Sequence, residues 1–402
     1  MLGGKKLILG VTGGIAAFKA AQLASNLTAA GAAVHVIMTR AAQEFVSPLT
    51  FSTLTGHPVP AGLFPARADG SVLHISLAAG ADLIVVAPAT ANIIGKAACG
   101  IADDLLTTVI AAATCPVLFC PAMNVNMYAN RVVQRNIGLL KELGYHFVEP
   151  GTGRLACGTE GRGRLAEIDL IYEAVVNLLS DKDMRGLKVL VTAGPTVEPL
   201  DPVRYLTNRS SGKMGYALAR AAARRGAGVV LVSGPCALAP PAGVEFVPVE
   251  TARQMRDAVM ERFAGADVVI KAAAVADYRP KQAAGLKIKK TGPALTVELE
   301  KNPDILAELG GKKGRRILVG FAAETNDLEK HALAKVREKN LDLLVANDVT
   351  LPGAGFNADT NIVKLVYPDG GIVPLPQMDK LDLAHRILDE VMAVRKRSHE
   401  DG

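Results

Sequence analysis

Apolar residues in the first 180 positions gather in short, nearly unbroken runs: Leu7–Val11, Val34–Met38, Ala81–Ala87 and Pro116–Cys120. Runs of that length suit strands buried on both faces of a parallel sheet. Between them lie segments with helical spacing, at 15–30 (closed by Gly31), 103–114, 126–143 and 171–179. The alternation predicts a parallel sheet with right-handed crossovers. Small or polar turns follow the runs: Thr12-Gly13-Gly14, Pro88-Ala89-Thr90-Ala91-Asn92 and Pro121-Ala122-Met123-Asn124. Ligands bind beyond strand C-termini in such sheets, so these turns are candidate site residues.

The pattern restarts after the charged stretch Asp181-Lys182-Asp183, which places a boundary near Met184. LKVLVTAG at 187–194 echoes KLILGVTGG at 6–14, and ADVVIKAAAVAD at 266–277 echoes ADLIVVAPATAN at 81–92. The expected fold is α/β, with two doubly wound parallel-sheet domains, flavodoxin-like or Rossmann-like, at 1–184 and 185–402. Beyond Ala276 the second domain gains short strands, at 286–290, 295–300 and a pair at 361–366 and 371–375 around Asp369-Gly370. An amphipathic helix over 381–394 closes the chain, with a frayed end.

Composition narrows the partners. The 402 residues are 50% hydrophobic and carry a net charge of +6, which suits large cores and small anionic substrates. Lys and Arg are dispersed and aromatics reach only 4%, against a nucleic-acid partner. The cysteines at 99, 115, 120, 157 and 236 form no CxxC pair, so neither a disulfide frame nor a zinc site is indicated. No signal peptide and no membrane-length apolar run is found, and a reducing cytoplasm is expected.

The densest polar text is DPVRYLTNRSSGKMG at 201–215, where Arg204, Asn208, Arg209, Ser210, Ser211 and Lys213 crowd together after a strand and before a helix at 216–223. Ser210 or Ser211 is the expected cap, and Gly212 the point of close backbone approach. The arrangement suits an anion site at a helix N-terminus; the alternative is a solvated, well-capped loop. In the first domain, Thr12-Gly13-Gly14 lacks the full GxGxxG spacing, and the second strand ends on Thr39 instead of an acid. A mononucleotide such as FMN therefore fits better than NAD. His74 stands among apolar residues and reads as readily as a structural histidine. Asn124 is an amide able to hold a carboxylate without neutralising it. Residues 151–167 carry five glycines, three arginines and Cys157, which reads as a mobile, anion-seeking lid or as an ordinary exposed loop. Asp277 can hold Mg2+ among phosphates or cap a helix. Lys287 and Lys289 share a face if their segment is a strand, turned to a triphosphate or to solvent. Lys335 and Lys339 lie one helical turn apart.

These segments also carry a family resemblance. GGIAAFKA (13–20), LHISLA (73–78), APATANIIGKAACGIADDLLTT (87–108), PAMN and ACGTEGRGR resemble flavin-dependent cysteine decarboxylases. They are most similar to the phosphopantothenoylcysteine decarboxylase half of the bifunctional coenzyme A biosynthesis family. The resemblance implies FMN at Gly13, Gly14, Thr39, Thr90 and Asn92, His74 as base, Asn124 as ligand of the substrate carboxylate and Cys157 as proton donor. Gly14 and Ile94 depart from the Ser and Thr frequent there. The chemistry explains the flavin: CO2 leaves readily only once the CH2SH group is oxidised to a thioaldehyde that delocalises the carbanion, and re-reduction makes the net redox change zero.

The second half resembles phosphopantothenate–cysteine ligase across about 190–350, through the 201–215 stretch, KAAAVADYRP, KIKK, KNPDI and GFAAETN. The resemblance implies a CTP site at Ala272, Ala273, Asp277, Lys287, Asn302, Pro303, Asp304, Ile305, Phe321, Lys335 and Lys339, with Mg2+ on Asp277. An acyl-cytidylate of 4'-phosphopantothenate would form there and be attacked by L-cysteine. Asn208 would hold the adduct, while Arg204 and Lys287 offset growing charge. Trimeric decarboxylase and dimeric ligase contacts would give a dodecamer. Two rivals are a nicotinamide-linked oxidoreductase, opposed by the broken glycine fingerprint, and a non-catalytic scaffold, opposed by the joint presence of His74, Asn124, Cys157, Asn208 and Lys287.

Overall fold

The computed structural model describes residues 2–60, 62–63, 72–155, 158–289, 295–324, 328–348, 355 and 357–400. By internal contacts the chain divides into two units, Met1–Ser180 and Asp181–Gly402. Met184 is fully buried in the second unit's core, and Asp183 pairs with Arg225 at 2.5 Å, so the Asp181–Asp183 stretch is anchored to the second unit.

In the first unit the apolar runs form β1 (Lys6–Val11), β2 (Ala33–Met38), β3 (Leu83–Ala89), β4 (Val117–Pro121) and β5 (His146–Phe147). All pairings are parallel, in the order β2-β1-β3-β4-β5, the flavodoxin-like order. Alternate residues of β1 face opposite cores. Leu7, Leu9 and Val11 pack with the helices Ala17–Ala29 and Ile168–Leu179, and Ile8 with those at Leu73–Ala79, Ala91–Ala98 and Leu105–Ala111. The helix expected at 103–114 is shorter because Asp104 and Thr107 close a capping box. That expected at 126–143 is two helices, because the Asn130 side chain accepts from Val132 N at 2.8 Å and starts the second.

The second unit contains β6 (Lys188–Ala193), β7 (Gly228–Ser233), β8 (Glu245–Pro248), β9 (Val268–Lys271), β10 (Ile317–Glu324), β11 (Leu343–Asp348), β12 (Val363–Val366) and β13 (Ile372–Pro374). Their order is β8-β7-β6-β9-β10-β11-β12-β13. The first six are parallel in the dinucleotide-fold order, and β12 and β13 add an antiparallel edge. The doubly wound expectation holds for both units. Three departures stand out. Residues 286–289 form no strand, Lys290 lies outside the described residues, and the expected strand at 295–300 shrinks to Leu299–Lys301, paired with Tyr278–Pro280. The closing helix is longer than the expected 381–394, spanning Lys380–Glu400, and Asp401 and Gly402 lie outside the described residues. No helix among the described residues is long and apolar enough to cross a membrane.

Candidate functional site

In the first unit, strand order reverses between β1 and β3, and the expected cofactor residues surround that point. Thr12 Oγ1 donates to Pro88 O at 2.7 Å and accepts from Thr90 N at 3.1 Å. Thr90 caps the helix Ala91–Ala98, and Thr39 Oγ1 accepts from Ala42 N at 3.3 Å just past β2. The two glycines differ. A Cβ on Gly13 would stand 2.4 Å from that of Ala41, so the protein's own packing requires glycine there, whereas a Cβ on Gly14 would meet nothing within 4 Å. Gly14 therefore faces open space, with exposed Asn92 on the helix that Thr90 caps.

The Asn124 turn is held from two sides. Ala122 N donates to Ala89 O at 3.0 Å, and Met123 N to Gly163 O at 2.9 Å. Asn124 Oδ1 accepts from Asn126 N at 2.8 Å, starting the helix Val125–Ala129. Gly163 belongs to an antiparallel hairpin, Gly151–Arg154 with Glu160–Arg164, where a loop was expected. Two of its arginines have carboxylate neighbours, Arg162 with Glu149 at 2.9 Å and Arg164 with Glu167 at 3.3 Å. Cys157 lies outside the described residues. His74 belongs to the helix Leu73–Ala79, whose Leu73 and Leu77 share a core with Ile93 and Ile94. Its Nδ1 is buried without a hydrogen-bond partner among the described residues.

In the second unit a cavity of about 370 Å³ is lined by Asp277, the Asn302–Ile305 turn, Phe321, Lys335 and Lys339, with Lys271, Tyr278 and Lys301. Hydrogen bonds clip this turn to the Ala276–Asp277 backbone, since Asn302 N donates to Asp277 O and Asn302 Nδ2 to Ala276 O, both at 2.8 Å. Asp304 caps the helix Ile305–Gly311 through Ala307 N at 3.0 Å and pairs with Lys339 at 2.6 Å. Burial alone would raise its carboxyl pKa, but these two donors outweigh burial and hold it below the usual range. Asp277 is exposed, and among the described residues no group of three or more His, Cys, Asp or Glu side chains could hold a metal ion.

Ala272, Ala273, Arg204, Asn208 and Lys287 do not line that cavity. Asn208 instead lines a neighbouring crevice of about 600 Å³ with Thr207, Arg209, Ser210, Pro195 and Pro235. Its Nδ2 donates to Val275 O at 3.0 Å, and Val275 lines the first cavity, so Asn208 stands at the junction of the two. The junction lies at the strand-order reversal between β6 and β9, where Pro195 bridges Ala274. Arg204 is committed elsewhere. It donates to buried Asp201 at 2.6 Å and to Ile288 O at 2.8 Å, while Ile288 N donates to Asp201 at 3.1 Å. This network holds the 287–289 segment with Lys287 and Lys289 exposed. Neither serine caps the helix Lys213–Arg224; its N-cap is Gly212 at φ +76, where a Cβ would lie 3.2 Å from Cys236 Sγ.

Lys271 and Asp201 were missed as site residues by sequence reasoning. A lysine ending the apolar run VVI was a usable signal for the first; for the second nothing local reveals that Ile288, 87 positions away, completes its shell.

Each unit is thus an open, mainly parallel α/β sheet with polar turns past the strand ends at its reversal of strand order, and in the second unit a cavity and a crevice meet there, the arrangement of the doubly wound α/β class. Residues 1–180 match the model of the Flavoprotein family, and residues 184–394 that of the DNA/pantothenate metabolism flavoprotein C-terminal domain. The chain is 52% identical over its full length to the coenzyme A biosynthesis bifunctional protein CoaBC of Bacillus subtilis (strain 168), covering 100% of both. It is 46% identical to the protein of that name from Escherichia coli (strain K12), over 97% of each chain. A solved C-terminal domain of a CoaBC protein is 44% identical, covering 54% of this chain and 100% of its own, with a TM-score of 0.47. The chain belongs to the family of coenzyme A biosynthesis bifunctional proteins.

Proposed function

We propose that the chain is a cytoplasmic bifunctional enzyme of coenzyme A biosynthesis. Residues 185–402 join 4'-phosphopantothenate to L-cysteine with CTP and Mg2+, and residues 1–184 decarboxylate the phosphopantothenoylcysteine formed to 4'-phosphopantetheine. One observation carries this reading: Asp277, the Asn302–Ile305 turn, Phe321, Lys335 and Lys339, separated in sequence, line a single cavity.

In the ligase, the nucleotide occupies that cavity with its phosphates toward Lys335 and Lys339. Asp304 is already committed to Lys339, so Asp277 is the carboxylate left for Mg2+, one ligand among phosphate oxygens, as that ion accepts. Asn208 meets the carboxylate of 4'-phosphopantothenate where the crevices join, and activation as the acyl-cytidylate opens the carbonyl to the cysteine amine. Arg204 acts by positioning the 287–289 segment, and Lys287 approaches when substrate is bound.

In the decarboxylase, Gly13, Gly14, Thr39, Thr90 and Asn92 hold FMN. The open space at Gly14 and the Thr90-capped helix N-terminus suit a phosphate-bearing group. When bound, FMN supplies the two-electron oxidation that makes loss of CO2 feasible. His74, with its unpartnered Nδ1, takes up the proton, Asn124 orients the substrate carboxylate, and Cys157 returns a proton to the product. The dodecamer of trimeric decarboxylase and dimeric ligase contacts is carried into this reading by the family resemblance. A coupled assay with each nucleoside triphosphate, with and without cysteine, tests the reading through pyrophosphate, CO2 and the visible spectrum. Cysteine-dependent CO2 release with CTP and a flavin spectrum are expected; colourless protein that releases no CO2 from phosphopantothenoylcysteine contradicts it.

A further inference from the structure

The cavity proposed for the nucleotide contains a cation to which that reading gives no role. Lys271 is the last residue of β9, and alternation along the strand puts it on the side of Val269, away from Ile270. Val269 packs with Ile305, Leu306 and Val336, whereas Ile270 belongs to the opposite core. Position 271 is therefore the next core position on the face that carries the Asn302–Ile305 turn, and a lysine stands where strand spacing calls for an apolar residue. Lys271 is half-buried and lines the cavity. Among the described residues, no hydrogen bond or ion pair engages its ammonium. Of the two carboxylates lining the cavity, Asp304 is already taken by Lys339 at 2.6 Å and by Ala307 N at 3.0 Å. Asp277 is exposed and, in the proposed ligase, serves the metal. A part-buried ammonium without a partner is costly unless a ligand supplies the opposite charge.

We propose that Lys271 is a phosphate-binding residue of the ligase, a third lysine beside Lys335 and Lys339 that meets the triphosphate of the bound nucleotide. This rests on the reading that the cavity takes a nucleotide. The charges agree with it. Lys271, Lys301, Lys335 and Lys339 against Asp277 and Asp304 leave a surplus of two positive charges in the lining, and a magnesium-bound triphosphate carries about two negative ones. Burial pushes the Lys271 ammonium down to about 8, with Lys335 and Lys339 acting the same way and Asp304 and Asp277 opposing. Near neutral pH the ammonium is still mostly charged, and an arriving phosphate stabilises that form further. Nucleotide binding then weakens as pH rises past that value.

The test is steady-state ligation by the full-length protein, with the nucleotide varied and pyrophosphate release as readout. Lys271→Met keeps the side-chain length and removes the charge. It should raise the nucleotide KM about tenfold while kcat changes less than about threefold, and Lys271→Arg should stay near the parent. Decarboxylation of supplied phosphopantothenoylcysteine and the thermal midpoint, unchanged, confirm folding. In the parent, KM should climb from about pH 7 to about pH 9, and in Lys271→Met the climb should vanish. If Lys335→Met raises KM and Lys271→Met does not, the role of Lys271 is refuted while the nucleotide cavity stands. If neither raises it, the cavity reading fails and this inference with it.

Discussion

At the scale of single residues, Asp201 shows how a site segment is held without regular structure. It is almost fully buried and accepts from Arg204 and from the N–H groups of Val203, Arg204 and Ile288. The Arg204 guanidinium, ahead of the backbone donors, holds its carboxyl far below the usual carboxylate range. A carboxylate whose pKa falls on folding stabilises the folded state above the unfolded value of about 3.9, and the contribution drains away as pH drops below it. Asp201→Asn should therefore destabilise the second unit at pH 7, and the gap from the parent should narrow under acid. Urea midpoints at both pH values measure this, and an equal gap at both contradicts the assignment. Ligation should fall in the variant, because 287–289 loses its anchor, while decarboxylation persists. The partnership was not legible beforehand: Arg204 stood out as a charge in the 201–215 loop and Asp201 did not, and alternation alone put Lys287 on a strand that does not form.

Among the elements, the two sheets follow most directly from the sequence, since their strands are apolar runs whose burial on both faces leaves little choice. Hairpins and caps were harder. The glycines of 151–163 read as a loop, yet Gly153, Gly161 and Gly163 occupy positive φ in two paired strands. Gly163 also receives Met123 N, and a Cβ there would lie 2.3 Å from Met123 O. Gly163→Ala should thus push the Asn124 turn away, at a cost of about 1–3 kcal/mol to the first unit. The prediction is a clear loss of decarboxylation with ligation retained, read beside thermal unfolding. Unchanged decarboxylation would show that the turn does not depend on this contact. Likewise, Ser210 and Ser211 looked like helix caps, but the chain turns at Gly212 beside Cys236, a contact invisible to any local pattern.

For the whole molecule, the restart of the pattern after Asp181 foretold two doubly wound units, and membership of the family rests on agreement along the entire chain. Residues assigned to the nucleotide site from resemblance largely meet in one cavity, because strand ends and turns next to a reversal of strand order converge whatever their separation in sequence. Lys271 was passed over inside KAAAVADYRP, although its place at the end of the apolar run VVI marks it. The central claim is that ligation and decarboxylation occupy independent sites in separate units. It is tested most directly by assaying both half-reactions in two folded variants, Asn208→Ala and His74→Asn. The account predicts that Asn208→Ala cuts pyrophosphate release about a hundredfold or more while CO2 release from supplied phosphopantothenoylcysteine stays within about twofold, and that His74→Asn does the reverse. Loss of both activities in either folded variant would contradict it.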